Sequence, residues 1–363
     1  MLTSDPHSRR LIKLDKRINW IDTLKGIGII FVVLGHAPIS GKFCNYIFTF
    51  HMPLFFFISG YLFSMTRYPK ILNFIKSRIK SLLVPYCCFS ALAILILIYR
   101  SHFEINNVSV DFLLVFKSFL LAKRNFIFYN NPLWFLPSLF VVEISYYLIK
   151  KYVKSNVLIM LLLFVFGYIG VIKLQTLNSV NPLPWGFDNG MFYILFYGLA
   201  NILREIKDKI KYKNIFKFVL FLYSISSTLL FYFKQNLYGK IFNAQLLNVS
   251  GYFAYLYFLH LALIGIFTYL AISKLLFKSK ILNYIGNNTL TYFALHICLG
   301  FYILDNLLLI AKITPQGNTV YGILYTILAL NILIPISYII NNYLPFILGK
   351  SFKSHYNKTT ARI

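Results

Sequence analysis

The chain has 363 residues, of which 58% are hydrophobic, 19% aromatic and only 13% charged, and its mean hydropathy is +0.68. A soluble domain of this length cannot bury so much apolar surface, so the composition excludes an ordinary globular protein and indicates a polytopic membrane protein. The formal net charge of +26 does not indicate nucleic-acid binding, because the basic residues recur in short clusters between apolar runs.

Ten apolar runs are long enough to cross a membrane. They lie at 21–39, 46–66, 81–99, 132–149, 156–173, 190–203, 215–233, 250–272, 287–311 and 319–341. The run 111–121 is too short to cross and is expected at the outer interface. The four cysteines form no CxxC pair and fall mostly inside apolar runs, so they are interpreted as small core residues without a disulfide or metal site.

The distribution of basic residues sets the orientation. Five of them precede the first run, as in a signal peptide, but further apolar runs follow at once, so this run is expected to be retained. With a cytoplasmic N-terminus, 26 of the 36 Lys and Arg lie on the inner side and 9 on the outer side. The predicted fold is an all-α, polytopic integral membrane protein with about ten transmembrane helices and cytoplasmic N- and C-termini. Residues 1–350 form one membrane domain, and 351–363 form a short basic cytoplasmic tail.

The stretch 22–36 is an apolar helix with a polar face. At about 100° per residue, Lys25 and His36 are separated by roughly three turns plus 20°, and Asp22 falls about 40° from the same line. Gly28 joins this face. Charged and titratable groups are costly inside a membrane, so the face cannot point at lipid. It is the strongest sign of a functional site in the chain.

Other histidines lie within predicted spans. His51 opens the second span at a depth similar to that of His36, in the outer half of the membrane, so two imidazoles from adjacent helices are expected to meet. His260 and His296 lie near the middle of the eighth and ninth spans. A structural hydrogen bond between helices is the favoured interpretation for both.

Charged residues also lie within or at the ends of other spans, Glu143 in the inner half of the fourth and Asp305 near the outer end of the ninth. Glu143 and Asp305 could pair with basic residues, and Glu143 could instead orient a histidine. Arg78 and Lys80, at the cytoplasmic start of the third span, suit an ordinary positive-inside anchor or a clamp for the phosphates of a nucleotide. For Arg78 and Lys80 taken alone, the positive-inside anchor is the favoured interpretation, whereas the sequence does not decide between the alternatives for Glu143.

The fourth span begins with the residues NPLWFLP, and it belongs to the outer side. Trp134 could be an interfacial belt residue. An aromatic face beside Asn130 and Asn131 would also suit stacking and hydrogen bonding of a sugar ring.

Several of these motifs resemble the membrane acyltransferase-three family. The acidic-x-x-basic pair followed by a histidine after ten residues, in 22–36, is similar to the family's first-helix signature. Residues 50–61, FHMPLFFFISGY, resemble its second-helix motif in the branch that contains fucose 4-O-acetylase. Residues 78–86 resemble the basic, Leu-rich, Pro-Tyr motif linked to the acyl-CoA donor, and 131–137 and 286–296 follow the general pattern. Lys25 stands where many members carry Arg, which keeps the charge but loses a bidentate contact.

The resemblance implies a membrane-bound O-acyltransferase, most often an O-acetyltransferase. Such an enzyme would transfer an acyl group from cytoplasmic acetyl-CoA, or another acyl-CoA, to a hydroxyl of a cell-envelope sugar or a lipid-linked polysaccharide precursor. The expected location is the inner (cytoplasmic) membrane, as a multi-pass protein. The expected partners are the acyl-CoA donor, the glycan acceptor and the lipid bilayer, without a metal or a nucleic acid.

These implications assign roles to the candidate residues. His36 is expected to be the general base, since an imidazole with a pKa near neutrality suits that role, and His51 to orient it or to bind the acceptor. The residues assigned to donor binding are Lys25, Arg78 and Lys80. The residues assigned to substrate binding are Asp22, Asn131 and Trp134, with placement of the helix as an alternative for Asp22.

Two alternative functions are also compatible with a polytopic membrane protein. A flippase or transporter for a lipid-linked sugar would use the histidines in proton coupling and would be expected to show broken helices in symmetry-related halves, but no such repeat is found. A purely structural scaffold explains neither the polar face of the first helix nor the intramembrane histidines.

Overall fold

The computed structural model describes residues 19–39, 41–103, 110–176, 182–206, 221–222, 225, 251–314 and 316–350. Within these ranges the ordered elements are helices, and no strand is present. Eleven of them are numbered here in chain order. They are α1 (Asn19–His36), α2 (Lys42–Leu62), α3 (Ile71–Phe103), α4 (Phe112–Leu121), α5 (Asn131–Tyr152), α6 (Asn156–Thr176), α7 (Phe187–Ile206), α8 (Gly251–Leu275), α9 (Lys280–Asn287), α10 (Thr289–Ile310) and α11 (Thr319–Tyr343).

Six of the described helices are long and apolar enough to cross a membrane: α2, α3, α5, α8, α10 and α11. The prediction of an all-α polytopic membrane protein is therefore confirmed. The first predicted span forms α1 but is not among the six, since Asp22, Lys25 and His36 interrupt its apolar run. The run 215–233 lies almost entirely outside the described residues, as do residues 1–18 and the tail 351–363.

The third predicted span, 81–99, lies within a longer helix that begins at Ile71. Residues 71–78 and 84–103 are joined by a π-helical segment, Ile79–Leu83, which makes one helix of 33 residues. Burial explains the extra turns: Phe74 is 2% exposed and stacks on Tyr147 at 5.0 Å between ring centroids. An aromatic anchor of this kind overrides the polar character of the neighbouring residues.

The helix α1 lies at the centre of the fold and packs on α2, α8, α9 and α10. Its closest approach is to α9, where a Cβ atom at Gly26 would clash with the carbonyl of Leu282 and one at Gly286 with the carbonyl of Asp22. Small residues allow this backbone contact, as they do at helix crossings in membranes. A hydrogen bond from Thr23 Oγ1 to Asn283 Oδ1, 2.9 Å long, adds to it. The crossing holds the start of α10 beside α1.

Candidate active site

His36 is the last residue of α1, and it is exposed although most of that helix is buried. The last helical hydrogen bond runs from the N–H of Ala37 to the carbonyl of Val33, and the helix ends there because Pro38 has no N–H to continue the ladder. His36 is therefore accessible to a substrate at the end of the helix.

His51 comes from α2 and joins the same cluster. It is 4% exposed, and its Nδ1 lies 2.8 Å from the carbonyl oxygen of Ile47. A carbonyl only accepts hydrogen bonds, so Nδ1 carries the hydrogen and Nε2 has the free lone pair. The ring of Phe48 lies 5.0 Å from that of His51 and 6.4 Å from that of His36. The expected meeting of these two histidines thus occurs around Phe48.

His296 is the third member of this cluster, which the sequence did not predict. Its ring centroid lies 5.2 Å from that of His36, at an interplanar angle of 41°. The residue is fully buried, and its Nδ1 bonds to the carbonyls of Phe293 (2.8 Å) and Tyr292 (3.2 Å) in its own helix. Its Nε2 is buried without a hydrogen-bond partner in the described part of the chain. The hydrogen bond to another helix that was expected for His296 is not found there.

The local geometry of α10 explains the position of His296. The residue begins a π-helical segment, His296–Phe301, and such bulges occur where side chains enter the helical hydrogen-bond ladder. One of these side chains is Asn130, whose Nδ2 donates to the carbonyl of Ala294 over 2.7 Å. The Oδ1 of Asn130 is buried without a partner among the described residues.

Asn131, the predicted substrate-binding amide, has a different environment from Asn130. Its Oδ1 accepts from the N–H of Asn125 (2.8 Å), and its Nδ2 donates to the Asn125 side chain (3.0 Å). These two bonds close the loop before α5. Asn130, one residue earlier, is the amide that reaches the helix of His296.

Arg124 is a further residue that the sequence did not single out. Its guanidinium lies over the ring of Trp134, 5.6 Å from the centroid, and its Nη1 donates to Asn189 Oδ1 over 3.2 Å. It is close enough to interact electrostatically with both His36 and His51. Within the described ranges, no carboxylate lies within ion-pair distance of it. Because Arg124 sits in a loop without periodicity, the sequence identified it only as a topology charge.

Trp134 is only 6% exposed, and Arg124 lies against its ring. The predicted aromatic face is therefore present, but the guanidinium of Arg124 covers it. Arginine stacking of this kind fixes the guanidinium plane and keeps its charge.

The predicted donor-binding residues lie in two groups. Lys25 is on α1, where its Nζ is 3.7 Å from Asp22 Oδ1. Eleven residues separate it from His36, which is about 16 Å along a helix. Arg78 and Lys80 belong to the first part of α3, which packs on α5. Lys80 is exposed, and no carboxylate of the described residues lies within ion-pair distance of it.

Arg78 pairs with Glu143, and this contact joins α3 to α5. Arg78 Nη1 lies 3.3 Å from Glu143 Oε2, and the carboxylate side chain is 4% exposed. The guanidinium also lies over the rings of Phe74 (5.4 Å) and Tyr68 (5.9 Å). Of the two alternatives for Glu143, pairing with a basic residue is the one observed.

The loop between α2 and α3 has a positive electrostatic environment. Burial alone would raise the pKa of Tyr68, but the pKa lies below its usual value. The causes are a hydrogen bond with Ser77 and the nearby positive charges of Arg67 and Arg78. An anionic ligand would be favoured at this end of the molecule.

The remaining charged, histidine and cysteine residues named from the sequence lie outside the histidine cluster or form no metal site within the described residues. Asp305 accepts a hydrogen bond from the Tyr325 hydroxyl (2.7 Å), and His260 is exposed on α8. The cysteines Cys44, Cys87, Cys88 and Cys298 are free thiols. No group of three His, Cys, Asp or Glu side chains in the described ranges is placed to hold a metal ion.

One comparison with known proteins gives a match. The family model described as an acyltransferase domain covers residues 18–341, which includes every helix named above except the last residues of α11. Neither the curated proteins nor the solved structures give a significant match. The match does not single out the fucose 4-O-acetylase-like branch, and it gives no support to the transporter alternative. The chain therefore belongs to the acyltransferase-three family and is a multi-pass membrane acyltransferase.

Proposed function

We propose that this enzyme transfers an acyl group, acetyl in the simplest case, from cytoplasmic acyl-CoA to a hydroxyl of a cell-envelope sugar or a lipid-linked precursor. The inner membrane is the proposed location. The observation that carries the proposal is the exposed His36 at the end of α1, with two buried histidines around it. A cation lies at the opposite end of the same helix, about 16 Å away. This distance separates the two sides from which donor and acceptor would arrive.

The donor is anionic and cannot cross the bilayer, so its phosphates need cations on the cytoplasmic side. Lys25, Arg78 and Lys80 are the proposed contacts. Arg78 is held in place by Glu143 and two aromatic rings, yet its side chain remains 24% exposed. A guanidinium fixed in this way loses little conformational freedom when it binds a phosphate. Asp22 is proposed to orient Lys25, which it contacts at 3.7 Å.

His36 acts as the general base in the proposed reaction. Its neutral imidazole takes the proton of the acceptor hydroxyl as the sugar oxygen attacks the thioester carbonyl, and the carbonyl electrons move to oxygen. When the carbon–sulfur bond then breaks, His36 returns the proton to the leaving sulfur. The products are the sugar ester and the free thiol. General-base catalysis of this kind contributes roughly 10²–10⁴-fold.

Arg124 and His51 are proposed to act around that step. A fixed positive charge near the base stabilises the negative charge that develops on the carbonyl oxygen, and the effect is large where water is excluded. His51 has its Nε2 lone pair available to orient His36 or to accept a hydrogen bond from the acceptor. Trp134 places Arg124, while Asn131 shapes the loop that carries it.

The test is acyl transfer by a His36→Ala variant reconstituted in nanodiscs, with labelled acetyl-CoA and an isolated envelope glycan. Mass spectrometry of the glycan measures the ester formed. We expect a loss of about 10²-fold or more, given the contribution of a general base. His102→Ala is the matched control, since His102 is an exposed histidine at the end of α3 and should be replaceable. A His36→Ala protein that inserts normally and retains full activity would refute the proposal.

A further inference from the structure

We propose that His296 is a positioning residue for His36: its Nε2 accepts a hydrogen bond from one nitrogen of His36 and so directs the other nitrogen toward the acceptor hydroxyl. The inference rests on the proposed role of His36 as the general base. It gives a function to a buried histidine that the family match does not assign.

The hydrogen bonds of His296 determine its tautomer. Its Nδ1 lies 2.8 Å and 3.2 Å from two backbone carbonyl oxygens, those of Phe293 and Tyr292. Carbonyl oxygens carry no hydrogen, so Nδ1 must be the protonated nitrogen. In the neutral ring, Nε2 therefore holds an unshared pair and can only accept. The backbone of α10 thus fixes the acceptor at one end of the ring.

In the described ranges, the Nε2 atom of His296 lacks the hydrogen-bond donor that a buried acceptor normally has. His296 is fully buried, and its Nε2 has no hydrogen bond within the described part of the chain. Buried polar atoms are nearly always paired, so an unpaired one calls for a functional reason. The rings in contact with His296 among the described residues are those of His36 and Phe301. Only the imidazole of His36 has an N–H to donate.

The imidazole rings of His296 and His36 differ in how tightly the surrounding structure holds them. Two carbonyls and a fully buried position hold His296 in place. His36 is exposed, and its ring lies 5.2 Å from that of His296 without a hydrogen bond between them. In the proposed arrangement, a rotation of the His36 side chain brings one of its N–H groups to Nε2 of His296. Catalytic hydrogen bonds are often loose before substrate binds and tighten in the reactive complex.

In this arrangement the proton count is simple. Neutral His36 donates its one N–H to His296 and presents its lone pair to the hydroxyl. After His36 has taken the hydroxyl proton, it still donates to His296, and no proton passes to His296. The second histidine does what a carboxylate does in a hydrolase triad, namely hold one tautomer. A neutral acceptor avoids the cost of burying an unpaired negative charge inside a membrane protein.

The experiment compares His296→Gln and His296→Asn. The Gln oxygen can reach the place of Nε2, whereas the shorter Asn amide cannot. A hydrogen bond to a charged group corresponds to a factor of roughly 10–100 in rate. We expect His296→Asn to lower kcat by about that factor with an unchanged KM for acyl-CoA, and His296→Gln to restore most of the rate. His260→Asn is the matched control, since His260 is an exposed histidine on another helix, α8.

A double variant separates positioning from general structural support. If His296 acts through His36, His296→Asn lowers transfer only while His36 is present, so the His36→Ala background shows no further loss. An additional loss in that background, or equal rates for the Asn and Gln variants, would overturn the inference. If neither His36→Ala nor His296→Asn lowers transfer, the proposed function itself fails, which is a different result.

Discussion

The ion pair between Arg78 and Glu143 gives a sharp prediction about stability. Its 3.3 Å separation corresponds to an attraction of about 5 kcal/mol at an effective dielectric constant of about 20, before desolvation is counted. Replacing Glu143 by Leu leaves the guanidinium facing a buried apolar side chain. Breaking a buried pair costs about 3–5 kcal/mol, but Arg78 keeps 24% exposure, so we expect a loss of about 2–3 kcal/mol.

The control is Glu205→Leu, which removes the partner of Lys150. That pair is shorter, 2.8 Å, yet the Glu205 side chain is 44% exposed. Water screens such a pair, so its loss should cost no more than about 1 kcal/mol. Equilibrium unfolding of the solubilised protein with SDS measures both. The double replacement Arg78→Met with Glu143→Leu should recover most of the stability, because it leaves no unpaired charge.

The same proteins test donor binding. We expect the stable double variant to show a raised KM for acyl-CoA, since the proposed phosphate contact of Arg78 is gone. An unchanged KM would show that Arg78 only joins α3 to α5. A Glu143→Leu protein as stable as the parent, or no more affected than Glu205→Leu, would refute the argument that burial and not distance decides the strength of these pairs.

Three further replacements have defined outcomes. Gly26→Ala forces a methyl group against the backbone of α9 and should destabilise by about 1–3 kcal/mol in the same unfolding assay, whereas Gly317→Ala, with open space around it, should be neutral. Arg124→Met should lower kcat by about 10–100-fold by removing the charge near His36 and His51, and Lys123→Met should not. Lys80→Met should raise the KM for acyl-CoA, and adding salt should reduce the difference between variant and parent, because the residue is exposed.

Hydrophobic length was enough to predict the six described helices that are long and apolar enough to cross a membrane. It did not predict that α3 begins before its apolar run, because the residues there are polar and only tertiary packing shows that Phe74 is an anchor. Phe74 is buried against Tyr147 and Phe63, and this contact extends the helix through a π-helical segment. No local pattern in the sequence predicts a partner more than seventy residues away.

The candidate site was predicted only in part, because some of its residues are brought together by tertiary contacts that no local pattern shows. His36 and His51 stand out because titratable residues are rare in apolar runs, and helix direction alone suggests that they meet. Arg124 lies in an irregular loop, where a basic residue has an ordinary explanation as a topology charge. Its position over Trp134 depends on the path of that loop and on Asn189.

The histidines show most clearly what burial adds to a sequence pattern. In the sequence, His296 differs little from His260, and both suit a structural hydrogen bond. In the structure, His51 and His296 each give their Nδ1 hydrogen to a backbone carbonyl, which fixes the tautomer of both rings. His36 alone in this cluster is exposed, and none of the described hydrogen bonds involves its ring. One imidazole is thus free to exchange a proton while its two neighbours are held in place, and that asymmetry is what a single general base requires.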